Sequence, residues 1–167
     1  MSNDNFFFQM GTAVLFGNGV VQKLTGKVKE FKAGKVLIVT DEGVKKAGLL
    51  VKIEKPLEEG GVEISIFDQV EPDPCLDTIH KGANYFKQEK CDLIIALGGG
   101  SPIDTAKGIR VVADNGGHIR DYAGLNKVPK KASVPLIAIP TTSGTGSEVT
   151  VFAVLTDWEY NMKITVT

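Results

Sequence analysis

The sequence predicts an α/β fold with a doubly wound, mostly parallel sheet, on three observations. Short apolar runs alternate with longer amphipathic runs from residue 35 onwards, which is typical of strand–helix–strand units. The apolar run 92–97 is nearly continuous, as expected of a central parallel strand that helices cover on both faces. Finally, 43% of the 167 residues are hydrophobic and 23% are charged, the composition of one ordinary globular domain.

Each strand is predicted from a short run rich in apolar and β-branched residues, and each helix from apolar residues at helical spacing. The predicted strands are 12–16, 35–40, 62–67, 92–97, 135–139, 150–156 and 163–167, and the predicted helices are 20–31, 44–57, 76–88 and 102–113. The polar stretch 115–133 is predicted to be a long surface loop, either a solvated connection or a functional one.

Charge and composition exclude several classes of partner. Nineteen Lys and Arg residues against twenty Asp and Glu give a net charge of -1, so no nucleic acid partner is expected. No apolar run is long enough to span a bilayer and the N-terminus lacks a leader pattern, so we expect a cytoplasmic protein without a membrane partner. Cys75 and Cys91 are expected to be packing thiols, and His80 and His118 have no neighbours at metal-ligand spacing.

The strongest local feature is a glycine turn, Gly98, Gly99, Gly100 and Ser101, between a predicted strand and a helix. Three glycines leave no Cβ in the way of a ligand, and the helix behind them adds unpaired N–H groups and the positive end of its dipole. This arrangement predicts a phosphate or pyrophosphate site. The alternative is a tight turn in which Ser101 is the N-cap and Asp104 completes a capping box.

A second polar loop, which we call the hydroxyl loop, occupies residues 140–148 directly after the next predicted strand. Its sequence, PTTSGTGSE, holds five hydroxyl side chains and two glycines. Because ligands of open α/β sheets bind beyond the carboxyl ends of the strands, we expect the two loops to converge. Hydroxyls can donate to phosphate and ribose oxygens, which suits a dinucleotide. The alternative is a turn whose hydroxyls satisfy its own backbone.

Asp41 directly follows the predicted strand 35–40. In a dinucleotide site its carboxylate can accept both hydroxyl protons of the adenosine ribose. It would also repel a 2′-phosphate, by about 4 kcal/mol at ~4 Å and an effective dielectric constant of about 20. NAD is therefore favoured over NADP. A role for Asp41 as N-cap of the following helix is an alternative that does not exclude the first.

Two segments resemble the iron-containing, or group III, alcohol dehydrogenases: GGGSPIDTAK at 98–107 and PTTSGTGSE at 140–148. Related glycerol dehydrogenases and dehydroquinate synthases share the triple glycine but not the second segment. The resemblance implies a Rossmann-like, dehydroquinate synthase-like N-terminal domain over residues 1–167 that binds NAD. Further segments in the family's order are FGNG at 16–19, LIVTD at 37–41 and VEPDP at 70–74.

The resemblance also implies roles for single residues. Gly99, Gly100 and Ser101 would hold the pyrophosphate. Asp41 would bind the adenosine ribose, and Lys163 a ribose of the cofactor. Asp73 stands where the family more often has Asn, and Phe152 where many members have a polar residue near the nicotinamide. The full set of expected cofactor-binding residues is Asp41, Asp73, Gly98, Gly99, Gly100, Ser101, Asp104, Thr141, Thr142, Thr145, Thr150, Phe152 and Lys163.

The resemblance further implies a helical C-terminal domain that binds Fe²⁺ or Zn²⁺ through an Asp and three His, none of which is expected within this chain. In such enzymes the metal polarises the oxygen of a small alcohol or aldehyde, and the nicotinamide carries the hydride. No catalytic residue is therefore expected here, and the chain alone should be inactive.

Two readings of the whole chain follow. It ends at Thr167 inside a predicted strand, so we expect a piece of a longer protein, the cofactor half of an NAD-dependent, metal-dependent alcohol dehydrogenase. The alternative is a naturally short, non-catalytic nucleotide-binding module. Under the first reading we expect a homo-oligomer and an exposed, partly apolar surface that promotes self-association.

Overall fold

The computed structural model of the chain describes residues 11–129 and 132–167. Short 3₁₀ turns lie at Val20–Lys23, Ile119–Tyr122 and Ser147–Val149. The helices and strands of the described residues are, in chain order, α1 (Leu24–Glu30), β1 (Lys35–Val39), α2 (Glu42–Lys46), α3 (Val51–Glu59), β2 (Glu63–Phe67), α4 (Leu76–Gln88), β3 (Leu93–Gly98), α5 (Gly100–Asn115), β4 (Leu136–Pro140), β5 (Ala153–Asp157) and β6 (Met162–Val166).

The first four strands form one parallel sheet in the order β2-β1-β3-β4. In its register Val39 of β1 lies beside Phe67 of β2 and Ala96 of β3. The chain leaves β1 towards one edge of the sheet, and after β2 it crosses back to the other side of β1. The strand order therefore reverses between β1 and β3, which makes their carboxyl ends the place where such a sheet binds ligands.

Helices cover both faces of this sheet, which confirms the doubly wound α/β prediction. On one face α1, α2 and α3 bury Leu24, Val44 and Ile53 against the strands. On the other face α4 and α5 bury Ile79 and Ile109. Because β3 lies between two strands and two helical layers, it is buried over its whole length. That position explains why its sequence is an unbroken apolar run.

The last two strands form an antiparallel pair that packs on the α4–α5 face. Leu155 and Ile164 point into that core and are buried. The backbone N–H of Thr156 donates to the carbonyl oxygen of Pro74 at 2.8 Å, which ties β5 to the turn before α4. The predicted strands 150–156 and 163–167 are confirmed, each shifted by a few residues.

The predicted strand at 12–16 is wrong. Residues 12–16 are irregular, and the apolar side chains of Val14, Leu15 and Phe16 are exposed, Phe16 to 97%. A strand needs a hydrogen-bonded neighbour, and within residues 11–129 and 132–167 no strand pairs with this segment. The run of apolar, β-branched residues is therefore present without the pairing that would make it a strand.

Three other predictions needed adjustment. The single helix predicted across 44–57 is two helices, α2 and α3, because Gly48 adopts a φ of +70° and ends the first. The strand predicted to be buried at 135–139 is only half-buried, since β4 is the edge of the sheet among the described strands. In the predicted loop 115–133, a 3₁₀ turn buries Ile119 completely.

The two cysteines are free thiols. Cys91 is buried, and burial raises the pKa of its thiol, so it is a packing residue as predicted. Cys75 is half-buried at the start of α4. Among the helices of the described residues, none has both the length and the apolar character that crossing a membrane requires.

Candidate functional site

The site lies where β1 and β3 end. The hydroxyl of Thr40, which follows β1, donates to the carbonyl oxygen of Leu97 in β3 at 2.8 Å, and Thr40 is fully buried. This bond fixes the two strand ends side by side. Asp41 and the glycine turn come next in their respective chains, so the reversal of strand order brings both to one edge of the sheet.

The glycine turn leads into the N-terminus of a 16-residue helix, and no side chain of the described residues caps it. Gly98 has a φ of +152°, and a Cβ built there would lie 2.5 Å from Cγ of Pro102. Gly99 is the N-cap residue and Gly100 begins α5. The N–H groups of the first turn therefore lack the side-chain acceptor that commonly satisfies such positions.

The alternative in which Ser101 is an N-cap is wrong, because Ser101 already lies inside α5. The capping box with Asp104 is wrong for the same reason. The helix starts earlier than predicted since Gly99 adopts the extended N-cap conformation with a ψ of -154°. An uncapped helix N-terminus behind a glycine turn is a suitable place for an anion, and this observation supports a phosphate site.

The hydroxyl loop packs directly on the glycine turn, as predicted. The backbone N–H of Thr141 donates to the carbonyl oxygen of Gly98 at 2.9 Å. A Cβ on Gly99 would lie 3.0 Å from Oγ1 of Thr142, and a Cβ on Gly100 would lie 3.5 Å from Cγ2 of Thr145. The absence of side chains at these glycines therefore permits the close approach of the two loops.

The threonines of the hydroxyl loop lie at the surface beside the glycine turn. Thr141, Thr142 and Thr145 are all exposed at the edge of the sheet. The loop passes through Gly144 and Gly146, whose φ values are +97° and +67°, before a 3₁₀ turn begins at Ser147. Their exposure leaves hydroxyl groups beside an uncapped helix end, where they can donate to phosphate or ribose oxygens.

Asp41 is the N-cap of α2, as one of the two interpretations predicted. Its Oδ1 accepts a hydrogen bond from the backbone N–H of Val44 at 2.9 Å. The residue is half-buried. Since a carboxylate has two oxygens and about four lone-pair directions, N-capping leaves capacity to accept ribose hydroxyls.

A buried lysine completes the site, and sequence reasoning missed it. Lys107 of α5 is 6% exposed. Its Nζ donates to Oγ of Ser147 at 3.0 Å, to Oγ1 of Thr150 at 3.4 Å and to the carbonyl oxygen of Phe152 at 2.6 Å. Nζ lies 3.6 Å from Oδ1 of Asp104. The lysine therefore connects α5 with the chain that follows the hydroxyl loop.

Asp104 makes the matching contacts from the same helix. Its Oδ1 accepts from the hydroxyl of Ser147, and its Oδ2 accepts from the backbone N–H of Val154 at 3.1 Å. Burial lowers the pKa of Lys107, and the Asp104 carboxylate opposes that shift. We call this cluster the α5 clip; its members are Asp104, Lys107, Ser147, Thr150, Phe152 and Val154.

A sequence signal for the clip did exist. Lys107 is four residues after Ile103, so it lies on the same helix face as that apolar residue. Ile103 is fully buried. A lysine at a core position needs partners because a buried charge is costly unless it is paired and hydrogen-bonded. The pattern could have predicted a buried lysine but not which residues bind it, because these lie 40 or more positions away.

Asp73 and Lys163 contact each other rather than the two loops. Lys163 of β6 donates to Oδ1 of Asp73, which lies in the turn before α4 with a φ of +55°. Both side chains are exposed. Phe152, another expected cofactor contact, has an exposed side chain while its carbonyl oxygen is held by the clip.

The residues that the structure describes do not fit a metal ion. The described part of the chain contains no cluster of three or more His, Cys, Asp or Glu side chains that could bind one. The rings of His80 and His118 contact each other at 4.4 Å between centroids, with an angle of 40° between their planes. Each also accepts a backbone hydrogen bond through a ring nitrogen, His80 from Ile119 and His118 from Arg120, both at 3.3 Å. These contacts give the histidines a structural role.

Comparison with known proteins places this site in context. The family described as iron-containing alcohol dehydrogenase matches residues 11–167. The chain belongs to the iron-containing alcohol dehydrogenase family. The resemblance predicted from the glycine turn and the hydroxyl loop is thereby confirmed.

One similar protein is the NAD-dependent methanol dehydrogenase of Bacillus methanolicus, 44% identical over 162 residues that cover 97% of this chain and 42% of that protein. The crystal structure of a 1,3-propanediol oxidoreductase superimposes with a TM-score of 0.91 at 36% identity, covering 98% of this chain and 42% of the other. The structure of sulfoacetaldehyde reductase from Bifidobacterium kashiwanohense, solved in complex with NAD⁺, superimposes with a TM-score of 0.88 at 27% identity. The match covers 98% of this chain and 43% of the other. The chain thus spans about two fifths of the length of these relatives.

Proposed function

We propose that residues 1–167 are the N-terminal, NAD-binding domain of an alcohol dehydrogenase of this family. The observation that carries the proposal is the uncapped N-terminus of α5, which lies behind three glycines and beside the exposed threonines of the hydroxyl loop. Both loops lie at the reversal of strand order in the sheet. The NAD⁺ complex of the Bifidobacterium relative, whose structure covers 98% of this chain, supports the choice of cofactor.

In this proposal the pyrophosphate binds at Gly98, Gly99, Gly100 and Ser101, because the free N–H groups of the first helical turn are donors for its oxygens. The threonine hydroxyls donate to the same group and to the ribose next to it. Asp41 accepts the hydroxyls of the adenosine ribose.

The nicotinamide end is proposed to lie along Thr150 and Phe152, with Lys163 and Asp73 near its ribose. Thr150 already accepts a hydrogen bond from Lys107, so its position is set by the clip. When bound, NAD would accept a hydride from the alcohol carbon or return it to an aldehyde. The residues of this chain bind and orient the cofactor.

The proposed substrate is a small alcohol or aldehyde, as the names of the methanol and propanediol relatives suggest. The family's Fe²⁺ or Zn²⁺ is proposed to bind outside the described residues, which hold no suitable cluster. We propose a cytoplasmic location, which two free thiols support since disulfides are rare there. A homo-oligomer is proposed from the exposed apolar residues Val14, Leu15 and Phe16.

Calorimetric titration of the chain with NADH and then with NADPH, without added metal, tests the proposal. We expect NADH to bind with a Kd in the micromolar range and NADPH to bind more weakly, because of the Asp41 carboxylate. Gly99→Val is the matched variant, since its side chain would enter the 3.0 Å contact with Thr142. Equal heats for the wild type and for this variant, or no binding of either nucleotide, would refute a cofactor site at the glycine turn.

A further inference from the structure

We propose that Lys107 and Asp104 are positioning residues for the cofactor site, acting through the α5 clip rather than by touching the nucleotide. The inference rests on the proposed NAD-binding function and adds residues that hold its geometry. Lys107 is one of the few charged residues that are buried. Its three ammonium hydrogens match three acceptors, Ser147, Thr150 and Phe152.

The clip fixes a segment that has little other support. Residues 147–152 form one short 3₁₀ turn and then an irregular stretch before β5 begins at Ala153. Val149, Val151 and Phe152 are exposed, so apolar burial contributes little to holding this stretch in place. Lys107 donates to Ser147 at the start of this stretch and to the carbonyl oxygen of Phe152 at its end, and Asp104 accepts from the backbone N–H of Val154 just beyond it.

The clip also links the two halves of the site. Asp104 and Lys107 lie in the first two turns of α5, whose N-terminus carries the glycine turn. Their partners lie directly after the hydroxyl loop. A shift of residues 147–154 relative to α5 would therefore move Thr150 and Phe152 relative to the glycine turn. Pre-organisation of this kind improves affinity because the loop is already ordered, so binding costs less conformational entropy.

Because both side chains are largely buried, the charge of Lys107 depends on Asp104. The charged groups near Lys107 are Asp104 and Arg110 on the same helix and Glu148 on the facing turn. Asp104 and Glu148 favour the charged lysine, whereas burial and Arg110 disfavour it. Neutralising Asp104 should therefore lower the pKa of Lys107 further, and a deprotonated amine can donate only two of its three hydrogen bonds.

The test compares Lys107→Met and Asp104→Asn with the control Lys52→Met, which changes an exposed lysine of α3. Kd for NADH is measured between pH 7 and pH 10, together with hydrogen–deuterium exchange of each peptide and the thermal midpoint. Lys107→Met should raise Kd at pH 7 by about tenfold or more, with faster exchange confined to the peptide containing residues 147–154. Lys52→Met should change neither the Kd for NADH nor the exchange of residues 147–154.

The pH profile separates positioning from general destabilisation. In the wild type, NADH affinity should fall at alkaline pH as Lys107 loses its proton, below the ordinary lysine value of 10.5. Asp104→Asn should move that fall to lower pH, and Lys107→Met should lack it. Asn is nearly isosteric with Asp, so Asp104→Asn keeps the test open if Lys107→Met fails to fold.

Unchanged Kd in both variants, or an alkaline fall that Asp104→Asn does not move, would overturn the proposal. Exchange that accelerates equally across all peptides would also overturn it, since that is general unfolding. A wild-type chain that binds no NADH would instead refute the proposed function. In that case local exchange at residues 147–154 would still show whether the clip holds the segment.

Discussion

At the scale of single residues, Asp41 is the position where the proposed cofactor choice can be tested most cleanly. It performs a structural task, capping α2 through Val44, in addition to the proposed ribose contact. A substitution must therefore retain the cap. Serine does so, because its hydroxyl oxygen is as good an N-cap acceptor as a carboxylate oxygen.

Asp41→Ser should reduce the preference for NADH over NADPH. The repulsion between a carboxylate and a 2′-phosphate, after screening to about 2 kcal/mol, corresponds to roughly a thirtyfold change in the ratio of the two Kd values. Titration calorimetry with both nucleotides measures this ratio. Glu42→Gln removes the neighbouring exposed carboxylate and is the control. If the ratio is the same in Asp41→Ser and the wild type, Asp41 does not contact the ribose.

A second residue-scale prediction concerns how the stability contributed by the Arg120–Asp157 ion pair depends on pH. Arg120 holds Asp157 through two bonds, 2.6 Å and 2.8 Å long, and thereby lowers the pKa of Asp157 below its ordinary value of 3.8. Below pH 3.8 the unfolded chain then binds more protons than the folded protein, so the pair's contribution to stability falls as the pH falls. The stability lost in Arg120→Met, measured by urea unfolding, should be smaller at pH 3 than at pH 7. A loss independent of pH would contradict this.

How far single site residues could be predicted depends on the range of their contacts. The glycine turn and the threonines could be predicted because each follows a strand directly and has a composition that the core excludes. The burial of Lys107 was predictable from its place on the same helix face as Ile103. Its hydrogen-bond partners were not, because they lie 40 to 45 positions away and only the fold brings them close. The cap at Asp41 was predictable because the bond spans three residues.

At the scale of elements, the turn from β3 into α5 depends on glycine at position 98. Gly98 combines a φ of +152° with a site where any Cβ would meet Pro102 at 2.5 Å. Gly26, in the middle of α1, has nothing within 4 Å of the position of a Cβ and an ordinary helical backbone. The two glycines therefore form a matched pair for substitution.

Gly98→Ala should lower the free energy of unfolding by about 1–3 kcal/mol, through backbone strain and overpacking against Pro102. Gly26→Ala should raise it by roughly 0.5–1 kcal/mol, because alanine is the better helix former. Urea unfolding of both variants measures these changes. Equal stability of Gly98→Ala and the wild type would show that the turn does not require glycine.

The elements themselves were mostly predictable, and the exceptions have a common cause. The spacing of apolar residues across 35–113 depends on local packing, so the order of the strands and helices there was predicted correctly. The segment 12–16 has a strand composition but no neighbouring strand among the described residues, and pairing is not a local property. Likewise, whether β4 is central or at the edge depends on the other strands and not on its own sequence.

At the scale of the whole molecule, two groups of exposed apolar side chains stand out among the described residues. Val14, Leu15 and Phe16 form one group, and Val149 and Val151 belong to the other. We expect reversible self-association that increases with concentration in sedimentation velocity, and a weaker association in Phe16→Ser. Phe31→Ser, which changes another exposed phenylalanine, is the control. A monomer at every concentration would contradict the expectation.

The proposed function depends on one property of the molecule, that the glycine turn and the hydroxyl loop bind NAD together. Hydrogen–deuterium exchange of the wild-type chain with and without NADH tests this most directly, at concentrations low enough to limit self-association. We predict that peptides covering residues 98–103 and 141–150 are protected together, because one ligand contacts both loops. Protection of neither loop, or protection confined to other parts of the chain, would contradict the claim.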